Sequence, residues 1–132
     1  MITDIQKEKL KNFAQNEKLS LLILFGSFAK NKEKLNSDID ISYLSDKKLD
    51  DLKLIDKISE IFEHKSEIDL INLNRLELSH HLVFKIFKEG NLIYERDKNL
   101  FLHKKEESYF NYIDYKRFDK MHENILRRKI KV

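Results

Sequence analysis

Apolar residues recur along this chain in two alternating periods, and each change of period marks an element. Thr3 followed by Gln6 reads as a capping box that opens a helix through about Lys18, with Ile5, Leu10 and Phe13 turned to the core. Leu19 to Phe25 is a nearly continuous apolar run, the pattern of a short strand buried on both faces. Phe28 to Lys34 fits a short helix, and Ile39 to Leu44 returns as a strand. Ser45 or Asp46 can cap the next helix, where Leu49, Leu52, Ile55, Ile58 and Ile61 or Phe62 recur at helical spacing. Ser66 to Leu73 reads as a third strand. Asn74 suits the N-cap of a helix ending near Glu89, with Gly90 as its C′ residue. The stretch NLIYE reads as a short fourth strand. From about 99 to 129 the pattern is helical again, with Phe110, Phe118, Met121 and Ile125 near one stripe. Asp114 interrupts that stripe, and marks either a break between two helices or the edge of a buried face. Helices and strands alternate without repeat or linker. The expectation is an α/β (α+β) fold, a small mixed sheet flanked by helices, in one domain over 1–132 with a helical extension at about 99–129.

Composition narrows the function. A chain of 132 residues fits one domain, and its 41% hydrophobic content supplies a core. No cysteine is present, which excludes disulfides and cysteine-based metal sites. The N-terminus is amphipathic and lacks the apolar h-region of a signal peptide. No apolar run approaches the ~20 residues of a membrane helix, so a cytoplasmic protein is expected. The net charge of +3 is too small to imply a nucleic-acid partner, and no direct binding to nucleic acid is expected.

Candidate chemistry begins where acids interrupt the apolar strands. Asp38 and Asp40 lie two apart, so strand alternation puts both carboxylates on one face and Ile39 and Ile41 on the other. Two like charges side by side repel unless a cation lies between them, and Mg2+ commonly takes one or two carboxylates plus water and phosphates. A solvated edge strand is the blander alternative. Gly26 follows a buried strand, where a glycine lets backbone approach a ligand. Ser27 adds a hydroxyl donor, and a following helical turn aims N–H groups at an anion. A plain strand-to-helix turn would read the same way. A third acid, Asp69, interrupts the apolar run Ile68 to Leu73, and converges with the others if the two strands are neighbours. Glu67, on the same face but nearer the strand start, is the weaker candidate.

Gly26-Ser27, ten intervening residues and Asp38-Ile39-Asp40 match the GSX10DXD signature of minimal nucleotidyltransferases in the DNA polymerase β-like superfamily. With its short length and its tail from VFKIFKEGNLIYERD into a long helix, the chain resembles the MntA-type antitoxins. The resemblance implies that Gly26, Ser27 and Lys30 bind the nucleotide, and that Asp38, Asp40 and Asp69 are catalytic and hold Mg2+, in a two-metal site. Many relatives read GSxARG where this chain has GSFAKNK, with Lys30 and Asn31 in place of arginine and glycine. Lysine keeps the charge but not the bidentate fork. The resemblance further implies transfer of AMP from ATP to a tyrosine hydroxyl of a HepT-like HEPN ribonuclease toxin, in a hetero-oligomer. A module that neutralises the toxin by contact alone, and a small-molecule nucleotidyltransferase of the aminoglycoside type, are the alternatives. The adjacent His80 and His81 point ~100° apart on a helix and are expected to be structural or surface residues. Tyr109, Phe110, Tyr112, Tyr115 and Phe118, on a helical segment longer than one small sheet requires, suit a partner interface. Two shorter helices folded back on the domain would equally account for them.

Overall fold

A computed structural model describes residues 2–26 and 38–130. Its elements are α1 (Asp4–Asn16), β1 (Leu21–Phe25), β2 (Ile39–Leu44), α2 (Asp51–Ile61), β3 (Ile68–Asn72), α3 (His80–Glu89), β4 (Asn91–Glu95) and α4 (Leu100–Ile130). The helix expected at Phe28–Lys34 lies outside the described residues. The four strands form one sheet in the order β3-β2-β1-β4. β1 pairs antiparallel with β2 and β4, while β2 and β3 run parallel. The sheet is therefore mixed, as expected.

Strand parity sorts the core into two layers. Leu22 and Leu24 of β1 and Ile39, Ile41 and Tyr43 of β2 pack against Leu10 and Phe13 of α1 and Leu54 and Ile58 of α2. On the other face Leu21 and Ile23 meet Ile86 and Phe87 of α3, with Leu100 and Phe101 of α4 beside them. β1 is thus buried on both faces, which its unbroken apolar run requires. Tyr43 reaches through the first layer to donate its hydroxyl to Asp51, in the first turn of α2. Burial, and then that hydrogen bond, push its phenol far above the ordinary range.

Helix starts differ from expectation where local polar bonds compete. Thr3 and Gln6 do form the capping box, with bonds of 3.1 and 3.0 Å. Ile5, however, is 70% exposed, and the core face of α1 runs through Leu10, Phe13 and Ala14. α2 is capped by Asp50, whose side chain accepts from the Leu52 N–H. Ser45 instead accepts from the Lys47 N–H and Asp46 pairs with Arg96 at 2.8 Å, so neither opens the helix. The inward face of α2 is then Leu54, Ile58 and Phe62, leaving Leu52 exposed. α3 is capped by Ser79 and not by Asn74. Asn74 donates its amide to the Ser45 carbonyl at 2.6 Å and its backbone N–H to the Asn72 side chain, bonds that hold a turn.

Gly90 caps α3 with extended backbone, φ −75°, so a left-handed conformation is not its reason. Close packing is. A Cβ there would lie 2.4 Å from the Ile86 carbonyl oxygen and 2.6 Å from Ile23 Cγ2. Gly90→Ala should cost about 1–3 kcal/mol by forcing α3 off β1. Urea unfolding of the two proteins measures this.

Candidate active site

The parallel pairing of β2 and β3 sets Asp40 directly opposite Asp69. Parity puts both on the α3 side of the sheet, since Ile39 and Ile41 enter the opposite core. Asp38 precedes β2 by one residue and Ser42 follows Asp40 by two, so a polar row leads along this face to the apolar Leu44 under α3. Ser42 is fully buried, and its hydroxyl finds no partner among the described residues.

Asp40 is half-buried while Asp69 and Asp38 are exposed. Burial, the nearby Asp69 charge, a hydrogen bond between the two carboxyl groups and lastly the Asp38 charge push the Asp40 carboxyl up to about 6. The same repulsion that raises the Asp40 carboxyl would be relieved by a cation placed between Asp40 and Asp69. Two carboxylates on one face, with a third nearby, are a donor set that suits Mg2+, which fills the rest of its shell with water and phosphate oxygens. The expected three-acid cluster is only partly gathered. The Asp38 charge reaches Asp40, but Asp38 lines a separate recess with His64, Lys65, Ser66 and Glu67. Among the described residues no three His, Cys, Asp or Glu side chains stand close enough to hold one ion.

Gly26 closes the other side of the pair. It follows β1 with φ +75°, in the left-handed region that favours glycine. A Cβ on it would lie 2.1 Å from Asp40 Oδ2, so the backbone runs directly against the carboxylate. Ser27 and Lys30 lie outside the described residues.

The sequence matches the family described as Polymerase beta, Nucleotidyltransferase over residues 8–99. The chain belongs to this nucleotidyltransferase family. The match takes in Gly26, Asp38, Asp40 and Asp69 and stops where α4 begins. Solved structures share the fold over nearly the whole chain. A toxin–antitoxin crystal structure with AMP-PNP superposes with a TM-score of 0.74 at 21% identity, covering 92% of this chain and 98% of that one. An MntA–HepT toxin–antitoxin structure gives 0.62 at 20% identity, covering 98% and 100%. A tri-AMPylated Shewanella oneidensis HEPN toxin in complex with MNT antitoxin gives 0.63 at 19%, covering 99% and 100%. None of the curated proteins matches this chain. No helix among the described residues of this nucleotidyltransferase is long and apolar enough to cross a membrane.

Sequence reasoning missed the recess beside Asp38. Glu63 and His64 are consecutive non-glycine residues with φ 56°, and Ser59 Oγ bonds His64 Nδ1 at 2.9 Å. That turn hangs on the end of α2, and no local motif announces it.

The raised Asp40 pKa has a consequence for stability. The unfolded carboxyl titrates near 3.8 and the folded one near 6, so the folded state holds the proton more tightly. The resulting stabilisation is full below pH ~4 and is lost as pH rises through about 6. In EDTA, Asp40→Asn should therefore unfold at a higher temperature than wild type at pH 7, with the gap closing towards pH 4. Thermal unfolding across that range tests it.

Proposed function

We propose that this nucleotidyltransferase is an antitoxin that transfers AMP from ATP to a tyrosine hydroxyl of a HEPN toxin in the cytoplasm, as a single minimal domain. The observation that carries the chemistry is the Asp40–Asp69 pair, with Gly26 against one side and the sheet edge on the other. The fold shared with toxin–antitoxin structures, one with AMP-PNP and one with an AMPylated toxin, supports the partner.

The two substrates would approach from opposite sides. Gly26 ends β1, and its backbone, with Ser27 and Lys30 following in the chain, would cradle the triphosphate. β3 is the edge strand, so Asp69 is open to an incoming side chain. The phenol oxygen would attack the α-phosphorus, and the bond from that phosphorus to the bridging oxygen would break as pyrophosphate leaves. Asp69 would take the phenol proton, which otherwise leaves only near pH ~10. Asp38, Asp40 and Asp69 would share two Mg2+ ions rather than hold a single one, and these would supply positive charge to the α-phosphate and the departing pyrophosphate.

The contact-only alternative has one observation in its favour, the length of α4 that stands clear of α3. The two separate cleanly. Incubation with labelled ATP, Mg2+ and the toxin, followed by mass spectrometry, should place AMP on a toxin tyrosine. The Asp38→Asn/Asp40→Asn protein should lose at least about a thousandfold in rate while keeping its fold, as expected when charge stabilisation of the transition state is removed. Asp69→Asn should still bind the toxin, but the toxin should recover ribonuclease activity once separated. Durable silencing by Asp69→Asn would mean inhibition by contact.

A steric test addresses the cradle. Gly26→Ala should displace Asp40 through overlap with its carboxylate, and should cut transfer without abolishing toxin binding. Transfer at the wild-type rate would remove Gly26 from the site.

A further inference from the structure

α4 is one unbroken helix of 31 residues, ~46 Å long at ~1.5 Å per residue, with no break at Asp114. Its first half packs on α3 through rings. Phe101 meets Phe87 at 5.5 Å, Tyr112 meets Phe84 at 5.2 Å and His81 at 5.6 Å, and Tyr115 meets His80 at 5.4 Å. His80 is the first residue of α3, so this packing ends at Tyr115. From Lys116 to Ile125 no ring contact, ion pair or side-chain hydrogen bond joins α4 to another element among the described residues. The nearest are Lys116 over Tyr112 and Phe118 against His122, both within α4.

The stripe anticipated from the sequence is therefore not the buried one. Phe110, Phe118, Met121 and Ile125 are all exposed, Phe118 by 70%. At ~100° per residue they fall within an arc of about 80°, on a side of α4 separate from the tyrosines that face α3. A projecting helical segment this short is marginal in water unless a face of it is packed. The stripe is a continuous apolar seam with a single acid, Asp114, one turn from both Phe110 and Phe118.

Charge decides what can cover it. From Lys116 to Ile130 the chain carries six Lys and Arg (116, 117, 120, 127, 128, 129) against two acids, Asp119 and Glu123. A second copy in parallel would set this basic end against another, and an antiparallel one would set it against Lys104, Lys105, Glu106 and Glu107, whose charges already cancel and of which Lys104 and Glu107 pair at 3.3 Å. A nucleic acid would satisfy the charge and leave the seam in water. We propose that α4 from Phe110 to Ile125 docks a helix of the partner protein, apolar along its centre, with a cationic or amide side chain opposite Asp114 and acidic residues against the basic end. A lone polar residue in such a seam fixes register. The identity of the partner as the toxin rests on the proposed function; the seam does not depend on the transfer chemistry.

The test uses the full chain and purified cognate HEPN toxin. Phe118→Ala/Met121→Ala/Ile125→Ala should weaken toxin binding at least thirtyfold by calorimetry. It should raise KM for the toxin, leave kcat at saturating toxin and ATP affinity unchanged, and keep the wild-type unfolding temperature. Arg117→Glu, which keeps the seam and its helix propensity, should weaken binding about tenfold in low salt and less in high salt. Toxin binding without AMP transfer in wild type would sink the enzymatic reading and leave the docking seam standing. The seam proposal is overturned if the triple variant binds within threefold of wild type, or if wild type fails to bind the toxin. It is equally overturned if wild type is a dimer in solution that the triple variant converts to monomer, or if the triple variant loses binding to single-stranded RNA and not to toxin.

Discussion

The register between β2 and β3 is the constraint on which the site depends. Asp40 faces Asp69 because Ile39 and Ile41 face Ile68 and Leu70, one step away on each strand. A slip of β2 by one residue would turn Asp40 into the core of α1 and α2 and carry Ile39 and Ile41 out of it. The apolar layer beneath the sheet therefore holds the two carboxylates together above it. Tyr43, bonded to Asp51, ties the same strand to α2 from below. When both are ionised the two carboxylates repel and do not favour this assembly themselves.

That arrangement places two opposing physical demands on one strand. β2 is central, between β1 and β3, and most of its residues are buried. Burial is what raises the Asp40 carboxyl, ahead of any neighbouring charge. A carboxylate with an elevated pKa is a poor surface residue and a good place for a cation, because binding the cation removes both the desolvation cost and the repulsion. The left-handed Gly26 belongs to the same logic. Any side chain there would occupy the space of the Asp40 carboxylate, so backbone alone can border the pair. β-sheet packing on one face offsets electrostatic cost on the other.

Much of this was legible in the sequence because it depends on period alone. The two-residue spacing of Asp38 and Asp40, the acid interrupting the third strand and the apolar run of β1 all report strand parity, and parity survives without knowledge of neighbours. The Thr3 capping box is equally local. Expectations failed where a side chain had a distant partner. Asn74 looks like a helix cap until Ser45, 29 residues away, takes its amide. Asp46 looks like one until Arg96 takes its carboxylate. Leu52 and Ile5 fit apolar periodicity, yet each helix buries only the arc that its sheet contact covers. Gly90 was legible as a glycine requirement with the wrong cause, since crowding by Ile23 is a tertiary fact.

α4 shows the limit of periodicity most directly. Its two apolar faces are both periodic, and a sequence cannot say which one the domain claims. Geometry decides: α3 is 10 residues long, so its rings reach the antiparallel α4 from Phe101 to Tyr115, about four turns, and no further. The aromatic residues within that reach go to α3, and those on the other face and beyond it are left for something else. The family match ends at residue 99 and α4 begins at residue 100. Residues that set the acid pair and residues that form the free seam thus occupy separate stretches of chain, joined by the rigid packing of α3 on β1. Binding strength can then change along α4 without disturbing the register of β2 and β3, and the acids can be altered without loosening the seam. In such a chain, affinity for a partner and chemistry upon it are set by different residues under different physical constraints, one by exposed apolar area and charge, the other by strand parity and burial.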